Sequence, residues 1–420
     1  MRPPRRVVHP SRRTLLAVSL SSAALAACGK ADGSAGAGAA ASAPTTTAPT
    51  TSQPSPTVAA STSVPTPSSL PSPTPTAATA LAGWSLERKV GQLLMVGTDA
   101  TAASGIVTSA ITDLHVGGVF LSGRSEAGAA ATRSVVDSLQ ALAGLEPARS
   151  TPLLVSTDQE GGTVQVLRGA GFSRMPAAVD QGAQGVGLTA TAAGWAQELA
   201  AAGVNMNLAP TADLVDLADP GTNAPIGAFG REYGHDLTTV RAGVEAFASG
   251  MEQGGVIPTL KHFPGLGRVI DNTDVSSGVT DSVTGPEDPA VALFAELAKA
   301  SSRRVVMVSS AYYTLIDGSL PAAFSKAVVT DLLRGKLGFS GVVITDDVSA
   351  AAQLSGWPPG ERTVAAVRAG CDIVLASGAP WQISEMAAAL VAAAQADTDF
   401  AAQVDTAVAR VLALKAQLTN

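Results

Sequence analysis

The stretch VIPTLKHFPGLGR, residues 256–268, joins a strand pattern to a polar loop. Its first five residues are mainly apolar, as in a buried strand. Lys261 and His262 follow, before a loop rich in proline and glycine. A cation and an imidazole between a strand and such a loop indicate polar side chains that are held rigidly at the edge of a binding or catalytic site. The loop continues to Asp271 and Asp274, so we expect a mobile flap that carries carboxylates.

Short apolar runs like this one recur along the chain between segments of helical periodicity. Many are near-continuous Val, Ile, Leu and Met, which is typical of strands buried on both faces. Eight runs are found: Gln92–Gly97, Gly117–Leu121, Leu153–Thr157, Asn205–Ala209, Val256–Leu260, Val305–Ser309, Val342–Thr345 and Ile373–Ala376. Alternation of strands and helices on this scale predicts a parallel sheet. Eight units over roughly 340 residues favour a (β/α)8 barrel, an α/β fold of TIM type.

The segments between the runs have the length and periodicity of helices, as in Thr189–Ala202, Leu237–Gln253 and Pro321–Leu337. The first helix should begin after Ser85, its N-cap. A doubly wound sheet is the structural alternative, but no Gly-x-Gly-x-x-Gly follows an early run to support it.

Polar residues follow the carboxyl ends of successive runs, where barrel enzymes place their catalytic groups. They are Asp158, Asp213, Lys261 with His262, Ser309 with Ser310, and Asp346 with Asp347. Any single aspartate after a strand could be a helix cap. Five such coincidences at the same end of successive strands indicate a shared site.

Composition excludes several classes of function. The formal net charge is -7, and residues 1–27 contain five arginines and no acids, so the rest of the chain carries -7 - 5 = -12. An acidic protein lacks the positively charged surface that binds the phosphates of nucleic acid. Two cysteines are too few for a disulfide framework. Outside the first 27 residues, His115, His235 and His262 lie far apart, without a metal-ligand spacing, so no metal is expected.

The amino-terminal region is predicted to be an export signal followed by a disordered tether. Residues 1–27 have a basic start and a short apolar run, typical of a signal peptide, and SRRTLL resembles a twin-arginine signal. LAAC resembles a bacterial lipobox, which would place diacylglycerol on Cys28; an ordinary cleavage site beside an incidental cysteine is the alternative. Residues 28–82 are rich in Ala, Ser, Thr and Pro and predict a disordered tether. Residues 83–420 form the predicted barrel domain.

Several motifs of the domain together resemble glycoside hydrolase family 3, in its bacterial β-N-acetylglucosaminidase branch. They are KVGQLLMVG at 89–97, DQEGG at 158–162, NLAP at 207–210, REYG at 231–234, KHFPGLGR at 261–268 and LGFSGVVITDD at 337–347. The resemblance implies hydrolysis of β-linked sugars with retention of configuration and without a cofactor. It also implies that the substrate is N-acetylglucosamine on cell-wall fragments.

The resemblance assigns roles to individual residues. Asp346 matches the family's nucleophile, and a strand end would fix its line of attack. Asp347 is interpreted as a supporting residue or a helix cap. The positions that match sugar-binding residues of the family are Asp158, Asp213, Arg231, Lys261 and His262. Carboxylates and cations suit this role because charge-assisted hydrogen bonds hold hydroxyls firmly.

The sequence departs from the family at the general acid/base. This branch usually carries Asp-Ser-His on the loop after the signature, whereas this chain has NTD at 272–274. Carboxylic acids with a raised pKa are common proton donors in glycosidases. We therefore predict that Asp274 replaces the histidine, with Asp271 as the weaker candidate. Other departures are Thr163 and Val166 for arginine, and Leu266 and Ser310 for histidine.

The sequence thus predicts a monomeric, lipid-anchored β-N-acetylhexosaminidase that acts on cell-wall saccharides or muropeptides outside the cytoplasm. Two alternatives remain open. One is a catalytically weak relative that binds sugars, and the other is a solute-binding lipoprotein of a transporter. Two lobes joined by a hinge would support the transporter protein, whereas a single closed barrel would exclude it.

Overall fold

The computed structural model describes residues 81–144 and 151–418. The signal peptide, Cys28 and nearly all of the predicted tether lie outside the described residues. No helix in the described ranges is long and apolar enough to cross a membrane.

Eight parallel strands close into a barrel. In chain order they are β1 (Leu94–Asp99), β2 (Gly118–Ser122), β3 (Leu154–Thr157), β4 (Met206–Asn207), β5 (Ile257–Phe263), β6 (Val305–Val308), β7 (Val343–Asp347) and β8 (Ile373–Ala376). Each strand pairs with its neighbours in sequence order, and β1 closes the barrel by pairing with β8. The predicted (β/α)8 fold is confirmed. The closed barrel excludes both the doubly wound sheet and the two-lobed transporter protein.

Helices surround the barrel and alternate with its strands. They are α1 (Leu86–Gln92), α2 (Gly105–Thr112), α3 (Ala129–Ala143), α4 (Ala178–Gly182), α5 (Leu188–Ala201), α6 (Leu237–Gln253), α7 (Pro289–Lys299), α8 (Ala327–Lys336), α9 (Pro359–Ala369), α10 (Ile383–Ala396) and α11 (Thr398–Lys415). Ser85 caps α1 as predicted, because its hydroxyl accepts a hydrogen bond from the Arg88 amide. The third predicted helix is divided into a short turn, Ala322–Phe324, and α8.

The strands are buried along nearly their whole length because the helices cover their outer face and side chains fill the interior. All seven residues of β5 are buried, including Lys261 and His262. The strand is three residues longer at its polar end than its hydrophobic pattern predicts, and it ends at Phe263. Two ionisable side chains are therefore held on a strand at the carboxyl end of the barrel, where a site is expected.

Candidate active site

A pocket of about 230 Å³ opens among the ends of the strands. It is lined by Phe120, Asp158, Leu208, Pro225, Arg231, Lys261, His262, Leu266, Asn272, Thr273, Asp274, Met307, Asp346, Asp347, Leu375 and Ser377. The volume is below the ~300–1,000 Å³ typical of sites for drug-sized ligands. The pocket therefore suits one small polar unit better than a long chain.

Four charged side chains form a network at one wall. The Lys261 ammonium lies 2.7 Å from Asp158 Oδ1 and 2.5 Å from Glu160 Oε1. The Arg231 guanidinium donates two hydrogen bonds to Glu160, at 2.8 and 2.7 Å. A third Arg231 hydrogen bond, 2.7 Å long, goes to the carbonyl oxygen of Pro225. Since an ammonium has three donors and a guanidinium has five, both cations retain donors for a ligand.

The network keeps Glu160 and Lys261 charged. Burial alone would raise the pKa of Glu160, but Arg231 and then Lys261 outweigh burial and hold this pKa well below its usual range. Burial alone would lower the pKa of Lys261, but Asp158 and Glu160 raise it above its ordinary value. Glu160 and Lys261 therefore keep their charges near neutral pH.

His262 is oriented from behind by a buried carboxylate. Its Nδ1 lies 2.8 Å from Asp213 Oδ2, and its backbone N–H donates to Asp213 Oδ1 at 3.1 Å. The same Oδ1 accepts from the Leu266 amide at 2.7 Å. With Nδ1 engaged by Asp213, Nε2 is the ring nitrogen that remains for a ligand. Asp213 thus fixes both the histidine ring and the start of the following loop.

The tight path of the signature loop explains one of its glycines. A Cβ added at Gly267 would lie 1.9 Å from the carbonyl oxygen of Leu214, a contact that no side chain tolerates. Glycine at this position lets the loop lie directly on the segment that carries Asp213. The side chain of Leu266 is thereby brought into the pocket wall.

Asp346 and Asp347 end β7, but their environments differ. Asp347 accepts four hydrogen bonds, from the amide and hydroxyl of Ser349 and from the amides of Ser377 and Gly378. It ties together the loops after β7 and β8, which agrees with its interpretation as a supporting residue. Asp346 Oδ1 accepts from the Asp347 amide at 2.8 Å, and Asp346 lines the pocket. Asp346 is thus the β7 carboxylate with more capacity for a ligand.

Asp274 lies on the loop that follows β5, residues 264–284, which we call the β5 loop. Its backbone N–H donates to Asn272 Oδ1 at 2.8 Å, and its carbonyl oxygen accepts from the Ala352 amide at 3.1 Å. Asn223 Nδ2 donates to two carbonyl oxygens of the same loop, those of Leu266 and Val269. The loop therefore places Asp274 in the same pocket as Asp346.

The surroundings of Asp274 favour its protonated form. Desolvation, and then the charge of Asp346, raise the pKa of the Asp274 carboxyl to about 6. The residue as a whole remains exposed although it lines the pocket. A bound ligand that excluded water from the carboxyl would raise this pKa further.

The structure brings most of the predicted site residues together. Those that line the one pocket are Asp158, Arg231, Lys261, His262, Asp274 and Asp346. Asp213 lies behind His262 and is not among the lining residues, and Asp271 is exposed outside the pocket. Sequence reasoning did not assign a role to Glu160, although it lies inside the DQEGG motif. Glu160 lies between Arg231 and Lys261 in space, but these two residues are far from it in sequence. The sequence alone therefore carried no signal for its role.

The arrangement offers cations, carboxylates and an imidazole that can bind hydroxyl groups, together with two further carboxyl groups, Asp274 and Asp346, of which Asp274 has a raised pKa. Such a pair is what acid-assisted displacement at a sugar carbon requires. Among residues 81–144 and 151–418, no group of three or more His, Cys, Asp or Glu side chains is arranged to hold a metal ion.

Known proteins share this fold and much of this sequence. The crystal structure of a β-N-acetylhexosaminidase from Beutenbergia cavernae is 54% identical, covers 80% of this chain and 99% of its own, and has a TM-score of 0.78. A β-hexosaminidase from Tolumonas auensis is 36% identical over 269 residues, 62% of this chain and 75% of the relative. An uncharacterized secreted glycosyl hydrolase of Arthroderma benhamiae is 35% identical over 260 residues, 58% of this chain and 69% of the relative.

Residues 85–414 match the model of the glycosyl hydrolase family 3 N-terminal domain. The match spans the whole barrel and every residue that lines the pocket. The chain therefore belongs to glycosyl hydrolase family 3.

Proposed function

We propose that this protein is a retaining β-N-acetylhexosaminidase that removes terminal β-linked N-acetylglucosamine from cell-wall saccharides. The observation that carries the proposal is the pairing of Asp346, at the end of β7, with Asp274 in one small pocket. The raised pKa of Asp274 supplies a proton donor beside an available carboxylate. The hexosaminidases from Beutenbergia cavernae and Tolumonas auensis support the choice of sugar.

In the first step, the Asp274 carboxyl protonates the glycosidic oxygen while an Asp346 oxygen attacks the anomeric carbon. The bond to the leaving alcohol breaks, and a glycosyl ester forms on Asp346. In the second step, the Asp274 carboxylate removes a proton from water, which attacks the anomeric carbon and releases Asp346. Two inversions give net retention, and Asp274 regains its proton.

The remaining residues position the sugar. Lys261, Arg231 and Asp158 bind hydroxyl groups through charge-assisted hydrogen bonds. His262 adds a contact through Nε2. Asp213 and Glu160 act through these residues by fixing the histidine ring and the two cations. The small volume of the pocket favours removal of one terminal sugar at a time.

A panel of aryl β-glycosides tests the proposal. We expect turnover of the N-acetylglucosaminide well above that of the glucoside and xyloside, because the relatives from Beutenbergia cavernae and Tolumonas auensis are hexosaminidases. Proton NMR of the first product should show the β-anomer before mutarotation. An α-anomer first product would overturn the retaining mechanism. Binding of the sugar without turnover would favour the catalytically weak relative instead.

We further propose that the protein is exported and anchored by diacylglycerol on Cys28. The motifs of residues 1–28 carry this proposal, and the secreted relative from Arthroderma benhamiae supports export. Cys28→Ser should move the protein from the membrane fraction to the soluble fraction because the thiol that receives the lipid is lost. Membrane association that persists after removal of the leader would contradict lipid anchoring at Cys28.

A further inference from the structure

The β5 loop is joined to the loop that follows β7, the strand that carries the proposed nucleophile. A short helical turn, Ala352–Leu354, follows β7 and lies against the β5 loop. The Ala352 and Gln353 amides each donate a hydrogen bond of 3.1 Å, to the carbonyl oxygens of Asp274 and Thr273 respectively. These two bonds attach the turn directly to the backbone of the proposed acid/base.

The Gln353 side chain adds a second attachment at Val279. Its Oε1 accepts from the Val279 amide at 3.0 Å, and its Nε2 donates to the Val279 carbonyl oxygen at 2.9 Å. Gln353 is 3% exposed and Val279 is 4% exposed, so water does not replace these bonds readily. Gln353 thus satisfies the Val279 amide, and it shares the Val279 carbonyl oxygen with the Tyr312 amide, which donates to it at 3.0 Å.

Residues 273–279 are therefore held at both ends by Gln353, through its main chain at Thr273 and its side chain at Val279. Asp274 lies within this stretch. We propose that Gln353 is a positioning residue that fixes the Asp274 carboxyl relative to Asp346. This inference rests on the proposed function, because it assigns Gln353 a role in the proton transfer by Asp274.

Gln353→Met tests the inference, since methionine keeps the length of the side chain and removes both hydrogen bonds to Val279. We expect kcat/KM to fall about 10²-fold on the N-acetylglucosamine disaccharide, the effect of a misplaced catalytic group. The 2,4-dinitrophenyl glycoside needs little protonation and should lose much less. Added azide should raise turnover of this activated substrate, because an anion attacks the glycosyl ester without a general base.

Gln140→Met is the matched control. Gln140 pairs with Leu153 in the same way, through Oε1 at 2.9 Å and Nε2 at 3.0 Å, but Leu153 precedes β3 at the opposite end of the barrel. We expect both substrates to be hydrolysed at the wild-type ratio by this variant. Equal losses on the two substrates in Gln353→Met, or an unchanged rate, would overturn the inference.

Gln353→Glu provides a second measurement if the methionine variant does not fold, as judged by circular dichroism. Glutamate keeps the acceptor for the Val279 amide and loses the donor, so an intermediate loss on the disaccharide is expected. Protonation at lower pH restores a donor, and the ratio between the two substrates should then move toward the wild-type value. A ratio unaffected by the substitution at every pH would contradict the positioning role.

Asp274→Ala, measured in parallel, separates the two hypotheses. If Asp274→Ala loses the same factor of activity on the disaccharide and on the 2,4-dinitrophenyl glycoside, Asp274 is not the acid/base. Both the proposed mechanism and the role of Gln353 then fail. If Asp274→Ala loses more activity on the disaccharide than on the 2,4-dinitrophenyl glycoside and neither Gln353 variant does, only the role of Gln353 is overturned.

Discussion

Glu160 and Asp274 are carboxyl groups in two regions of one site, and their neighbours shift their pKa values in opposite directions. Glu160 is 4% exposed at the strand ends, where Arg231 and Lys261 hold it ionised. Asp274 lies on the β5 loop, where desolvation and Asp346 favour the proton. The contrast shows that the partner, more than burial alone, decides which carboxyl group keeps its charge.

The two regions also differ in what supports them. The strand-end wall is built from side chains that bind one another across long sequence separations, such as 71 residues between Glu160 and Arg231. The part of the β5 loop around Asp274 is held through its backbone, by Ala352 and Gln353. A backbone-held loop leaves the Asp274 side chain without an ion pair, so that side chain can exchange a proton. In the proposed mechanism, the strand-end wall binds the sugar and the β5 loop supplies the group that transfers the proton.

Asp346→Ala should have the largest effect, a loss of at least about 10⁴-fold in kcat, because the group that forms the covalent intermediate is removed. Sugar binding should be largely retained, since the strand-end wall is unchanged. Steady-state kinetics and calorimetry with N-acetylglucosamine measure the two quantities. Near wild-type turnover would show that Asp346 is not the nucleophile.

Asp274→Ala should slow substrates with poor leaving groups by about 10²–10⁴-fold, the usual contribution of proton transfer. Activated aryl glycosides should be affected much less in the first step, and azide should restore their overall turnover. Asp271→Ala is the control, because Asp271 lies outside the pocket. If Asp271→Ala shows this selectivity and Asp274→Ala does not, the roles must be exchanged.

Glu160→Gln should lower kcat/KM by about 10²-fold, because Arg231 and Lys261 lose the anion that holds them in place. It should also lower the free energy of unfolding by about 3–5 kcal/mol, the cost of breaking a buried ion pair. Kinetics and thermal unfolding measure both effects. Glu296→Gln removes the exposed partner of Arg241 and should leave Tm near the wild-type value. Equal Tm values for the two variants would contradict a supporting role for Glu160.

The pH profile should show the smallest effect. The first step needs protonated Asp274, whose pKa is raised to about 6. The protonated fraction therefore falls as pH rises through this value, and kcat/KM for poor leaving groups should decrease about tenfold per pH unit above it. The same descending limb should be absent from Asp274→Ala. A descending limb that persists in that variant would assign the proton to another group.

The fold could be predicted almost completely because each barrel strand is a local apolar run. The strand predictions agree with the structure to within a few residues at each end. The largest differences concern β4, which is shorter than its apolar pattern, and β5, which continues through Lys261 and His262. Hydrophobicity does not mark the polar end of a strand, whereas backbone pairing does.

The candidate site was less accessible to sequence reasoning. Motif matches selected candidate residues on the strand ends, and position together with carboxyl chemistry selected Asp274 as a candidate. They did not show that Asp213 lies behind His262, or that Glu160 bridges two cations. Nor did they identify Gln353, whose partner Val279 is 74 residues away in sequence. These roles depend on contacts between distant segments, which a single sequence does not contain.

In the proposed mechanism, Asp346 and Asp274 act as nucleophile and acid/base in one pocket. Mass spectrometry of Asp274→Ala mixed with 2,4-dinitrophenyl β-N-acetylglucosaminide tests it most directly. Without a general base the second step is slow, so the protein should gain the mass of one N-acetylglucosaminyl group, located on Asp346 by peptide mapping. Azide should remove this group. An adduct on another carboxylate, or no adduct while the substrate is turned over, would contradict the claim.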